Sequence, residues 1–262
     1  MSASEKKRSK SSLPFSNEIK KTLHRNLEFT ATEQYKLIRT NLDFTLPEGE
    51  RCPIIGVTSA MRGEGKSTTA INLSYVLAER GSRVLLIDGD LRIPSIAKKM
   101  DIPSSPGLTD VLMNKGVQQL TDFKSNLLNT WFIMPSGEIP PNPSELLSSK
   151  RMEAALRSLR EHFDYIVVDL PPVNIVSDAV AISTYITGMI VVVRQEYTEK
   201  KELEHCFRQL KLSNVKVLGC VMNGTQTGGG SYSRYKKYKY YKYYRYYKND
   251  HYYKTLKTDG ES

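Results

Sequence analysis

The stretch that decides the fold is "SAMRGEGKSTT", residues 59–69. It lies between "PIIGVTS" (53–59), a short apolar run with strand character, and "KSTTAINLSYVLAERG" (66–81), a helical pattern closed by Gly81. A glycine-rich turn between a strand and a helix, ending in Gly65-Lys66-Ser67, is a cradle for phosphate groups. Gly63 and Gly65 let backbone N–H groups wrap the phosphates, with Glu64 between them. The helix beginning near Lys66 adds its positive dipole end. Lys66 is placed to reach the outer phosphates and Ser67 to ligate Mg²⁺, and Thr68 beside them is a further candidate nucleotide-binding residue. Ala60 stands where the pattern usually has its first glycine.

Outward from this turn, strand and helix patterns alternate. "RVLLIDGD" (83–90), "WFIMPSG" (131–137), "DYIVVDLPP" (164–172), "GMIVVVR" (188–194) and "VKVLGCVMN" (215–223) read as strands. "SPGLTDVLMNK", "NPSELLSSKRMEAALRSLREH", "SDAVAISTYI" and "TEKKELEHCFRQLKL" read as helices. Strands apolar on both faces, separated by helices, predict an α/β fold: a mostly parallel sheet with helices on both sides. In such sheets ligands sit at the carboxyl ends of the strands. Two of these strands end in carboxylates, Asp88 with Asp90 close behind, and Asp169. A nucleotide on the turn would bring Mg²⁺ near Asp88 and Asp169.

The net charge of +10 is unevenly spread. Residues 1–12 and 231–262 together hold thirteen Lys and Arg against four acidic residues, leaving 25 basic and 24 acidic residues between them. A near-neutral body argues against a nucleic-acid-binding domain. Basic ends suit an anionic membrane surface. No apolar run approaches the about 18–20 residues that span a bilayer, and no apolar segment follows the basic start as in a secretory signal. Cys52, Cys206 and Cys220, odd in number and without metal spacing, read as reduced, buried thiols of a cytoplasmic protein.

The chain divides into a flexible basic segment (1–29), a nucleotide-binding domain (30–230) and a disordered tail (231–262). The tail, "SYSRYKKYKYYKYYRYYKNDHYYKTLKTDGES", has neither helical nor strand periodicity. Its Tyr and Lys/Arg interleaving suits single-stranded nucleic acid by charge and stacking, or phosphate acceptance by tyrosine.

"VTSAMRGEGKSTTAINLSYVLAERG", "VLLIDGDLRIP", "MPSGEIPPNPSELL" and "DYIVVDLPP" occur in the order found in the bacterial tyrosine kinases of capsule and exopolysaccharide systems, and the chain resembles that family over about residues 30–225. The resemblance implies a P-loop fold related to the MinD/ParA ATPases. It implies Mg-ATP as cofactor and phosphorylation of a C-terminal tyrosine cluster between neighbouring subunits of a ring. The acceptors would be Tyr232, Tyr235, Tyr238, Tyr240, Tyr241, Tyr243, Tyr244, Tyr246, Tyr247, Tyr252 and Tyr253. Asp88 would be a magnesium-side carboxylate, Asp90 the group that orients or deprotonates the incoming hydroxyl, and Asp169 the third motif's acid. Asn223 and Arg194 resemble adenine-site residues. "EQYKLIR" (33–39), in the helix pattern 30–44, resembles the family's oligomerisation helix through Glu33, Lys36 and Arg39, with Lys36 where the family has Arg. Lysine cannot make the bidentate fork of arginine, which bears on ring size.

Relatives occur fused to a transmembrane polysaccharide co-polymerase or as separate kinases; this chain reads as the split type. Its implied partners are copies of itself, a membrane-bound adaptor that activates it at the inner face of the plasma membrane, and a tyrosine phosphatase. No nucleic acid is expected. The other reading is a MinD/ParA-type positioning ATPase with a membrane- or nucleic-acid-binding tail. Those relatives carry a second lysine five residues before the loop lysine, where this chain has Met61.

Overall fold

The computed structural model describes residues 26–113 and 120–225. Two units divide the chain, 1–223 and 224–262, and the fold and site belong to the first. The expectations for residues 1–25 and for the tyrosine tail lie outside the described residues.

Six parallel strands form one sheet in the order β3-β2-β4-β1-β5-β6. They are β1 (Ile54–Ser59), β2 (Val84–Asp88), β3 (Trp131–Met134), β4 (Tyr165–Asp169), β5 (Gly188–Arg194) and β6 (Val217–Asn223). The helices are α1 (Phe29–Thr45), α2 (Lys66–Glu79), α3 (Ile96–Met100), α4 (Leu108–Leu112), α5 (Pro143–Leu147), α6 (Lys150–Leu159), α7 (Asp178–Ala181) and α8 (Lys200–Leu212). The predicted doubly covered sheet is what forms. Alternate strand residues go to opposite faces. Ile55, Val57, Leu86, Val167 and Val192 join a core with α2 and Leu42 of α1. Ile54, Leu85, Ile87, Val168 and Val191 join a second core with Leu112, Leu147, Leu156, Cys206 and Leu210. Trp131, fully buried, donates its indole N–H to Ser74 at 3.1 Å, which ties β3 to α2.

Two expectations need correction, and one helix was missed. The run 142–162 is two helices: α5 stops, and the Ser149 side chain accepts a hydrogen bond from the Met152 N–H to start α6. Helix α3 was not foreseen, because five residues of "IAKKM" show no full period. Cys52 and Cys206 are buried, but Cys220 is exposed. It lies on β6, the last strand of the sheet, where among the described residues only Leu218 is buried.

The chain leaves β1 for β2 on one side and β4 for β5 on the other. The loops after β1 and β4 therefore diverge, and the crevice between them opens at the carboxyl ends of the strands.

Candidate active site

The turn 60–65 is held from several sides. Gly63 and Gly65 have φ of +80° and +97°, in the left-handed region that glycine adopts without penalty. Gly65 is the residue before α2, and a Cβ there would fall 1.9 Å from Asn223 Nδ2. Asn223 donates from Nδ2 to the Glu64 carbonyl at 3.0 Å, and Arg194 donates from Nη1 to the Gly63 carbonyl at 3.0 Å. These two residues are register partners at the ends of β5 and β6. Glu64 is fully buried. One of its oxygens accepts from the Met61 N–H at 2.9 Å, the other from the Thr198 hydroxyl. Tyr197 donates its hydroxyl to the Arg62 carbonyl at 3.1 Å and lies under the Arg194 guanidinium. The braces from Thr198 and Tyr197 were not foreseen from sequence; no pattern marks them.

Lys66 Nζ lies 2.9 Å from Asp90 and 3.4 Å from Asp169. Burial opposes its ammonium, but Asp169, Asp90 and Asp88 together outweigh that and raise its pKa. Asp88 and Asp169 are register partners closing β2 and β4. Asp88 Oδ2 accepts from the N–H groups of Ser95 and Ile96 at 3.0 and 2.9 Å, and Oδ1 from that of Asp90 at 3.3 Å. Burial, then the neighbouring Asp169, pushes Asp88 up to about 7. Burial also raises Asp169, against the pull of Lys66 and Ser67. Asp90 is anchored by the Ile93 N–H on Oδ1 at 3.0 Å, leaving Oδ2 to Lys66. Thr68, at the start of α2, lies 3.5 Å from Nζ of Lys99. Burial lowers the pKa of Lys99, a half-buried cation that the sequence did not single out.

The residues fit a magnesium nucleotide. Asp169 Oδ2 is buried without a protein partner, beside Ser67. A single open carboxylate oxygen and a hydroxyl suit an ion that keeps several waters and takes the rest of its ligands from phosphate. Among the described residues there is no cluster of three or more His, Cys, Asp or Glu side chains able to hold a metal unaided. Asp88, with both oxygens engaged by backbone, would act on the ion through water.

The three residues expected to serve oligomerisation lie on α1, away from the phosphate-binding turn in sequence. Glu33 and Lys36 pair with each other at 3.0 Å on the outer side of α1. Arg39 is half-buried and donates from Nη1 to the Val76 carbonyl of α2 at 2.7 Å.

Strand, phosphate-binding turn, buried lysine and strand-end carboxylates define an ATP-binding P-loop domain, and residues 52–218 match the family described as AAA domain. The relatives narrow this. Tyrosine-protein kinase YwqD of Bacillus subtilis is 38% identical over 193 residues, covering 74% of this chain and 81% of that one. The crystal structure of the chimerical protein CapA2B2 superposes with a TM-score of 0.72 at 30% identity, over 79% of this chain and 90% of that one. The septum site-determining protein MinD of Pyrococcus horikoshii, at 24% identity and a TM-score of 0.56 over 68% of this chain and 72% of that one, shares the fold. The chain belongs to the bacterial tyrosine-protein kinases. Among the described residues, no helix is long and apolar enough to cross a membrane.

Proposed function

We propose that this kinase phosphorylates the tyrosine cluster at its own C-terminus between copies, and so regulates capsular or exopolysaccharide polymerisation and export. The observation that carries the reading is Asp90 beside Lys66: an acceptor-side carboxylate 2.9 Å from the phosphate-side ammonium. Phosphoryl transfer asks mainly for such positioning and charge neutralisation. Lys66 moves from the carboxylates to the outer phosphates of ATP, while the turn N–H groups hold the remainder. Magnesium, when bound through Ser67 and Asp169, neutralises phosphate charge. A tyrosine, with a pKa of about 10, arrives neutral. Its oxygen bonds to the γ-phosphorus as the bond to the β–γ bridging oxygen breaks, and its proton passes to Asp90, which also orients the hydroxyl.

The basic residues among the tyrosines draw the tail towards an acidic site mouth. Each phosphate adds about −1.5 to −2 charge, which reverses the sign of the tail and separates the subunits of a ring. A membrane adaptor's cytoplasmic segment activates the enzyme at the inner face of the plasma membrane, and a tyrosine phosphatase resets it. That a similar solved structure is of a chimerical protein, CapA2B2, is in keeping with such an adaptor.

The test is intact-mass spectrometry after incubation with Mg-ATP, comparing wild type, Lys66→Met and a chain ending at Gly230. Steps of one phosphate in wild type alone support the reading. ATP hydrolysis without phosphate on the protein, even with an adaptor segment present, would favour a positioning ATPase.

A further inference from the structure

Helix α3 carries two connections about one turn apart. The N–H groups of Ser95 and Ile96, at its start, hold Asp88 Oδ2 at 3.0 and 2.9 Å. Further along the helix, Nζ of Lys99 lies 3.5 Å from the Thr68 hydroxyl. Residues three and four apart share a helix face. Buried Ile96 and partly buried Met100 pack on the core that includes α2, and the same face turns Lys99 towards the first turn of α2. That turn is where the phosphates of a nucleotide meet the helix.

Lys99 is a cation without a counterion. It is half-buried, and among the described residues no carboxylate lies within ion-pair distance of its Nζ. Burial opposes its charge, the Asp169 carboxylate favours it, and Lys66 and Lys98 repel it. A lysine stripped of water by folding ordinarily finds a carboxylate. Here the carboxylates are taken: Asp90 and Asp169 pair with Lys66, and Asp88 accepts from backbone N–H groups. Lys99 lacks an anion, and the magnesium complexes of ATP and ADP are both anions. Lys66 is matched to the outer phosphates. Two ammonium groups that repel each other are best served by different phosphates of one chain, which leaves the inner ones for Lys99.

We propose that Lys99 is a second phosphate-binding lysine, which contacts the inner phosphates common to ADP and ATP from the Thr68 side of the nucleotide. Lys66 acts on the phosphoryl group that is transferred; Lys99 acts on the part of the nucleotide that stays. Its contact is equally strong before and during transfer, so it sets nucleotide affinity and not the rate of the chemical step. The assignment stands on the ATP-binding domain alone and does not depend on which hydroxyl receives the phosphate.

The experiment uses the full chain with Mg²⁺ and measures affinity by calorimetric titration with ADP and with a non-hydrolysable ATP analogue. Lys99→Met keeps the length of the side chain and removes its charge. Lys98→Met, at the exposed neighbour, makes the same change in net charge. Lys99→Met should weaken both nucleotides about 10-fold and by the same factor, and Lys98→Met by less than about 2-fold. The nucleotide-free Lys99→Met protein should melt no lower than wild type, since a desolvated charge without a partner does not stabilise the fold. Unchanged affinity for both nucleotides overturns the proposal. So does a loss confined to the ATP analogue, which would put the ammonium on the outermost phosphate, or an equal loss in Lys98→Met, which would reduce the effect to net charge. A lowered melting temperature alongside weaker binding overturns it as well, making Lys99 a brace of Thr68 and not a ligand of the nucleotide.

Discussion

Asp88 and Asp169 stand side by side as register partners at the ends of β2 and β4, with Lys66 reaching across from the phosphate-binding turn. Two buried carboxylates so placed cannot both ionise freely, and burial together with Asp169 lifts Asp88 to about 7. The folded state therefore holds a proton that the unfolded chain releases at about 4. Between those values the folded chain binds more protons, so stability falls as pH rises through about 7 and is fully present below about 4. Asp88→Asn removes that loss, and its amide oxygen can keep the Ser95 and Ile96 N–H bonds. The nucleotide-free variant should melt several degrees above wild type at pH 8 and show no gain at pH 4. Differential scanning fluorimetry across this range checks it; equal melting curves at pH 8 would contradict the placement.

Lys66→Met should cost more than the phosphate contact. The ammonium holds down the pKa of both Asp88 and Asp169, and without it two buried carboxylates lose their cation. They answer by taking up protons, which is easy at pH 5 and hard at pH 8. Phosphate transfer is lost at every pH. The melting temperature should drop markedly at pH 8 and much less at pH 5. A drop of equal size at both would mean that Lys66 contributes little to the resting site.

Gly65→Ala meets two obstacles, a φ of +97° and a contact with Asn223. The backbone term alone is about 1 kcal/mol or more. Asn223→Ala removes the contact and leaves the φ. Gly65→Ala should therefore lose nucleotide binding, and the double variant with Asn223→Ala should recover stability in part while binding stays weak, since Asn223 no longer braces the Glu64 carbonyl. Titration with a fluorescent ATP analogue beside a melting curve separates the two effects.

The nucleotide side was legible in the sequence because its residues are close together: the glycines, Lys66 and Ser67 lie within one turn, and Asp88 and Asp169 end strands whose apolar runs place them. Sheet and layers followed from the same alternation. What stayed hidden depends on contacts between distant segments. Thr198 on buried Glu64, Lys99 beside Thr68, and the fork of Arg92 on Asp178 join residues with no shared period. Cys220 was misread because β6 has a core strand's composition in an edge strand's position. The break between α5 and α6 was missed because Ser148 and Ser149 interrupt no apolar pattern; their effect lies in capping.

Arg39 shows why an interface residue is hard to assign from a motif. Its guanidinium donates to the Val76 carbonyl, among the last carbonyls of α2, so it caps the far end of the helix whose start holds the phosphates. Around it Tyr35, Ile38 and Leu42 of α1 pack on the same core. Arg39→Ala removes a charge-assisted hydrogen bond worth about 1–3 kcal/mol, and for a domain of this size each kcal/mol moves the melting temperature by about 2–4 °C. Arg39→Lys should retain part of that bond. A ring built through Glu33, Lys36 and Arg39, as proposed, would use the Arg39 N–H groups that do not bond Val76, so assembly and stability can be separated. Mass by light scattering, taken below the melting onset, is the discriminating measurement. A smaller particle in Arg39→Lys with a nearly unchanged melting temperature would place the residue in the ring, because lysine keeps the cap and loses the fork. Unchanged mass in both variants, with a lowered melting temperature in Arg39→Ala alone, would confine Arg39 to the fold of its own chain.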